Sequence, residues 1–156
     1  MHKKKPSSKP TVLFVDGKND LQSQIAEFFV KDMFGDVFDA FSAGPEKDCI
    51  DCELISVMYQ LDYDIRDYKA KDFGDEELPK KFDFIVFLEK ETYDAYREKI
   101  PWDAPAVLLD FGRRNNFEDA TDDLELYECY KALIEKVKAW VADTFCDVKK
   151  IGLMVA

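Results

Sequence analysis

The stretch Thr11-Val12-Leu13-Phe14-Val15-Asp16-Gly17-Lys18-Asn19-Asp20-Leu21-Gln22-Ser23-Gln24-Ile25-Ala26-Glu27-Phe28-Phe29 changes its hydrophobic period halfway. Thr11 to Val15 is a β-branched and apolar run of buried-strand length, and Asp16-Gly17 ends it with a turn signal. Beyond the loop, Ile25, Ala26, Phe28, Phe29 and Met33 recur at helical spacing. Ser23 is the expected cap of this helix and Gly35 its end. A strand, a polar loop and a helix in direct succession begin an α/β unit.

The same alternation continues outward. Val37 to Ser42 reads as a second strand, closed by Ala43-Gly44-Pro45. Asp51 to Tyr63 reads as a helix with Leu54, Ile55, Val57, Met58 and Leu61 on its inner face. Residues 64–80 read as loop. Phe82 to Leu88 is a third strand, Glu91 to Lys99 a short helix and Ala106 to Asp110 a fourth strand. A polar, irregular stretch follows to Asp123, then a long helix from about Asp122 to Phe145. This order predicts an α/β fold: a single three-layer domain with a four-stranded parallel sheet and helices on both faces. Residues 1–10 are expected as a flexible basic tail, 11–147 as the domain and 148–156 as a C-terminal tail. Open sheets of this kind bind ligands beyond the carboxyl ends of their strands. That edge collects residues 16–22, the Ala43-Gly44 turn and the loops after Leu88 and Asp110.

Composition narrows the function classes. The 156 residues are 47% hydrophobic and 35% charged, which excludes wholesale disorder. Four lysines and no acid lie in residues 1–10, leaving 18 basic against 33 acidic side chains from residue 11 onward. Such a body repels phosphate backbones and anionic headgroups, so nucleic acid and membranes are not expected partners. A basic protein partner suits it better. No apolar run has the length of a membrane span or secretory signal, and four cysteines do not make a disulfide scaffold. The expected compartment is the cytoplasm.

Val12-Leu13-Phe14-Val15, then Ser23-Gln24-Ile25-Ala26-Glu27-Phe28-Phe29, and later Phe41-Ser42-Ala43-Gly44-Pro45-Glu46, resemble the low-molecular-weight protein tyrosine phosphatases and their thioredoxin-coupled arsenate reductase relatives. The resemblance spans roughly residues 11–145 and implies the fold read above. It also implies a ligand-binding loop at Asp16, Gly17, Lys18, Asn19, Asp20, Leu21, Gln22 and Ser23. In that family the loop runs from a nucleophilic cysteine through five residues to an arginine and a serine. The cysteine attacks phosphorus or arsenic as a thiolate, backbone N–H groups cradle the oxyanion, and the arginine grips its oxygens. Here the cysteine position holds Asp16, the arginine position Gln22 and an expected glycine position Lys18, while Asn19 and Ser23 match. An aspartate in the anion's place repels it, and Gln22 supplies no counter-charge. The resemblance thus implies a degenerate member with a silent loop, a binding or regulatory module. Asp16 is expected to fold inward and accept the loop N–H groups itself.

Other candidates carry a plainer reading beside the functional one. The family's general acid precedes the last helix, where this chain has Asn116-Phe117-Glu118-Asp119-Ala120. Asp119 or Glu118 is the nearest equivalent and Asp110 a more distant one; solvated acids in a polar loop is the plainer reading. The reductases' further cysteines follow the third strand, which here reads Glu89-Lys90-Glu91-Thr92-Tyr93. Cys49-Ile50-Asp51-Cys52 is a redox candidate at a helix start, or two structural cysteines beside a cap. The alternative function is therefore an active phosphatase or arsenate reductase-like enzyme with altered chemistry, using Asp16 or the Cys49/Cys52 pair. Aspartate chemistry with Mg²⁺ would draw on Asp20 and Asp110, but the second aspartate of that signature falls on Lys18. No cofactor and no metal is expected; His2 is the only histidine. Tyr63, Tyr68, Tyr93, Tyr96, Tyr127 and Tyr130 are expected half-exposed, and Trp102 on the cleft rim. Arg113-Arg114 is a local basic pair, a surface pair or an anion contact.

Overall fold

The computed structural model describes residues 9–112, 117, 119–147 and 149–150. Its elements are β1 (Thr11–Val15), α1 (Gln22–Phe34), β2 (Asp39–Ala43), α2 (Cys52–Gln60), β3 (Phe84–Phe87), α3 (Lys90–Tyr96), β4 (Ala106–Leu108) and α4 (Asp123–Phe145). The strands form one parallel sheet in the order β2-β1-β3-β4. The two central strands leave in opposite directions, β1 toward β2 and β3 toward β4. Their carboxyl ends therefore flank the crevice where such sheets hold ligands.

Side chains along β1 alternate between two cores, as a strand's period of two requires. Val12 and Phe14 face one side with Val86 and Leu88, and Leu13 and Val15 face the other with Ile85 and Phe87. All eight are fully buried. The first side is covered by α1, α2 and α4, through Ile25, Phe29, Leu54, Met58, Ile134 and Val137. There the Phe14 ring meets Trp140 at 6.1 Å and Phe145 at 5.8 Å. The second side is thinner, covered by Phe82, Leu78 and the partly buried Tyr93, Tyr96 and Trp102. The layers are thus uneven, three helices against one.

Several boundaries differ from the sequence expectation, each for a local reason. Ser23 lies inside α1 rather than capping it; the cap position is Leu21, which contributes no side-chain bond. β2 begins at Asp39, not Val37, because the N–H groups of Val37 and Phe38 donate to Phe34 O and wrap the end of α1. α2 starts at Cys52, with Asp51 as its cap, and stops at Gln60 rather than Tyr63. Asp62, at φ 71°, turns the chain out of the helix. β3 is shorter by its two first residues and its last, β4 ends at Leu108, and α3 runs from Lys90 to Tyr96. The expected tails fall mostly on residues outside those described.

Candidate functional site

The loop between β1 and α1 is held from three sides. Asn19 takes a left-handed backbone (φ 55°), which its short amide side chain tolerates. Its Nδ2 donates to Ser23 Oγ at 2.9 Å, and its Oδ1 accepts the Lys71 N–H at 2.7 Å. Its carbonyl accepts from Gln24 Nε2 at 2.9 Å. On a second side, Asp48 N–H donates to Lys18 O and Asp51 N–H to Asp20 O, at 3.2 and 3.1 Å. On the third, Gly17 N–H donates to Glu89 Oε1 at 2.8 Å, an oxygen that also accepts the Thr92 hydroxyl at 2.9 Å. Gly44 passes so close that a Cβ there would stand 2.6 Å from Asp16 O and 3.0 Å from Asn19 N. Only glycine permits that approach.

Below the loop lies a buried ionic group. Glu27 accepts the Ser42 hydroxyl and the Lys31 ammonium, each at 2.5 Å, with the nearly buried Lys71 ammonium 4.0 Å away. It joins α1 to β2 and to the 64–80 segment.

Asp16 sits at the centre, 1% exposed. Its carboxylate accepts the backbone N–H groups of Ser23 at 2.8 Å and of Asp20 and Leu21 at 3.3 Å. These donors sit at the N-terminus of α1, where orphan N–H groups and the helix dipole favour negative charge. Burial raises the Asp16 pKa, the nearby Glu89 charge raises it further, and the Ser23 and Leu21 hydrogen bonds oppose both. The expected inward fold of Asp16 is the conformation observed.

Gln22, 1% exposed, donates from Nε2 to Gly112 O, while its Oε1 is buried without a partner. Lys18 is exposed, and it borders a cavity of about 230 Å³ with Asp20, Glu46, Glu89 and Tyr96. Among the described residues, the mouth thus carries three carboxylates to one ammonium.

The other candidates scatter. Asp119 is exposed, Asp110 is exposed and accepts the Gly112 N–H at 3.0 Å, and Glu118 and Arg113-Arg114 lie outside the described residues. Cys49 and Cys52 are both exposed free thiols, next to a segment bonded to the loop. Trp102 does not reach the loop: its ring packs on Phe82 at 5.0 Å and on Phe73 at 5.4 Å as part of the cover of the second face. Tyr130 is buried, not half-exposed, since its hydroxyl donates to Asp51 Oδ2 at 2.6 Å. Sequence reasoning assigns no role to Glu89 or Lys71; the only signal for Glu89 is its place just after β3. Among the described residues no group of three or more His, Cys, Asp or Glu is arranged to hold a metal ion. No helix among them is long and apolar enough to cross a membrane.

Backbone N–H groups converging at a helix N-terminus after a central parallel strand define a class, the α/β proteins with an anion-cradling loop. Within it, the sequence model of the low molecular weight phosphotyrosine protein phosphatase family matches residues 11–145, and the chain belongs to that family. An arsenate reductase of Oceanobacillus iheyensis is 32% identical over 145 residues, covering 93% of this chain and 99% of that one. The fold is shared with the low molecular weight protein tyrosine phosphatase of T. tengcongensis. The TM-score is 0.63 at 22% identity, over 86% of this chain and 96% of the other. It is shared too with Vibrio vulnificus Wzb, solved in complex with benzylphosphonate, with TM-score 0.58, 18% identity and coverage of 86% and 98%.

Proposed function

We propose that this protein is a member of the phosphatase and arsenate reductase family whose loop is occupied by its own side chain, and that it serves as a binding or regulatory module rather than a turnover enzyme. The observation that carries this reading is the Asp16 carboxylate on the N–H groups of Asp20, Leu21 and Ser23. By family resemblance those donors belong to the bound oxyanion and Asp16 stands at the nucleophile's position. A carboxylate is a far weaker nucleophile than a thiolate, and here both of its oxygens are engaged. A phosphate or arsenate entering the loop would meet Asp16 and Glu89, with Gln22 rather than an arginine at the position where the family resemblance expects the counter-charge. The acidic mouth favours a basic peptide or protein partner.

The test is turnover of an aryl phosphate by wild type, by Gln22→Ala and by Asp16→Cys combined with Gln22→Arg. Wild type is expected to match Gln22→Ala. A wild-type rate well above that control overturns the silent reading. A second reading, altered arsenate chemistry, is favoured by the arsenate reductase relative and by the two exposed thiols Cys49 and Cys52. It requires thiol-coupled arsenate reduction that is lost in Cys49→Ser.

A further inference from the structure

Residues 48–52 carry both a pair of thiols and a pair of hydrogen bonds to the loop. Cys49 and Cys52 are exposed and free. Cys52 is the first residue of α2, and Asp51 is its cap. The two ends of the segment are held unequally. Asp51 is fixed: its carboxylate accepts the N–H groups of Glu53 and Leu54 and the Tyr130 hydroxyl, and its own N–H donates to Asp20 O at 3.1 Å. Ile50 is buried and packs in the core. On the other side Asp48 is exposed, and its N–H donates to Lys18 O at 3.2 Å. Cys49 is thus the thiol with room to move.

We propose that Cys49 and Cys52 form a reversible disulfide that couples the oxidation state of small thiols to the loop. The oxidant is a small disulfide of the oxidised glutathione class. One cysteine attacks a sulfur of that disulfide as a thiolate, giving a mixed disulfide and releasing one small thiol. The second cysteine then displaces the other. The protein gives up two protons and two electrons, and one small disulfide becomes two thiols. A disulfide needs its Cα atoms about 4–7 Å apart, whereas the backbone at Asp51 is extended (φ −54°, ψ 119°). Closing the bridge therefore folds Cys49 back toward Cys52 and draws Asp48 with it, off Lys18 O. Lys18 borders the mouth cavity, so the bridge reaches the mouth through that hydrogen bond. The step needs neither arsenate nor an open loop, so it stands apart from both readings above.

The test equilibrates the full chain with oxidised and reduced glutathione at varied ratio, with no arsenate present, and maps the cysteines by alkylation and mass spectrometry. A link between Cys49 and Cys52 is expected, and reduced glutathione is expected to reverse it. In the linked form, amide hydrogen exchange at Asp48 should quicken about tenfold, the loss of one hydrogen bond, while exchange at Asp51 stays slow. Cys49→Ser, at an exposed position, is expected to carry glutathione on Cys52 and to keep the slow exchange at Asp48. The proposal is overturned if both thiols stay free or carry only glutathione across the range. It is overturned equally if either cysteine pairs with Cys129, with Cys146 or with a second chain, or if the link forms while exchange at Asp48 is unchanged.

Discussion

Three N–H groups at the start of α1 need an acceptor, and Asp16 provides both of its oxygens to them. Replacing it with alanine leaves them unpaired in a buried loop, at an expected cost of about 2–3 kcal/mol. The same replacement empties the cradle. Inorganic phosphate should then raise the melting temperature of Asp16→Ala and leave wild type unmoved; an equal shift in both would contradict a self-occupied loop. The raised pKa gives a second expectation with a definite sign. Folded Asp16 holds its proton more tightly than the unfolded chain, whose carboxyl titrates near 3.8. Its contribution to stability is therefore complete below that value and declines as pH rises through the raised folded value. Denaturant titrations across this window should show wild type losing stability relative to Asp16→Asn as pH increases. That a carboxylate stands where the resemblance leads one to expect a thiolate was legible in the sequence, because residue identity suffices for that comparison. Glu89 was not, since its effect depends on two strands ending side by side.

At the scale of elements, α2 shows how one cap serves three neighbours. Asp51 Oδ1 accepts the N–H groups of Glu53 and Leu54 at 2.9 and 3.4 Å, as a helix N-cap does. Its other oxygen accepts the Tyr130 hydroxyl from α4, and its own N–H donates to Asp20 in the loop. Asp51→Ala should cost about 2 kcal/mol in urea unfolding, and Tyr130→Phe about 1, because the phenylalanine removes only the cross-helix bond. Equal losses would mean that the cap itself contributes nothing. Asp51 at a helix start is readable from sequence. Tyr130 is not, as its residue type suits a half-exposed helix face equally well until the partner on α2 is known.

For the molecule as a whole, stability rests on the thicker side of the sheet. Phe14 is fully buried between β1 and the Trp140 and Phe145 rings, and Phe14→Ala should cost about 3–5 kcal/mol. Thermal or denaturant unfolding measures that loss; a value below about 1 kcal/mol would mean the aromatic cluster is loosely packed. The two core faces were legible from the alternation along β1, since a strand's side chains must point to opposite sides. Which face carries three helices and which carries one was not, because helical periodicity shows that a face is buried but not against what.

The sequence by itself determined the alternation of strands and helices, the parallel sheet and the family resemblance, with its expectation that Asp16 and Gln22 stand at the loop's cysteine and arginine positions, for these follow from residue type and local spacing. Only the tertiary structure decided which N–H groups Asp16 accepts, that Glu89 closes the mouth with a further negative charge, and that Gln22 donates to Gly112 O across the sheet edge. The last two depend on groups far apart in sequence meeting within hydrogen-bond reach, as Gly17 and Glu89 do at 2.8 Å. Only packing the whole chain brings such pairs together.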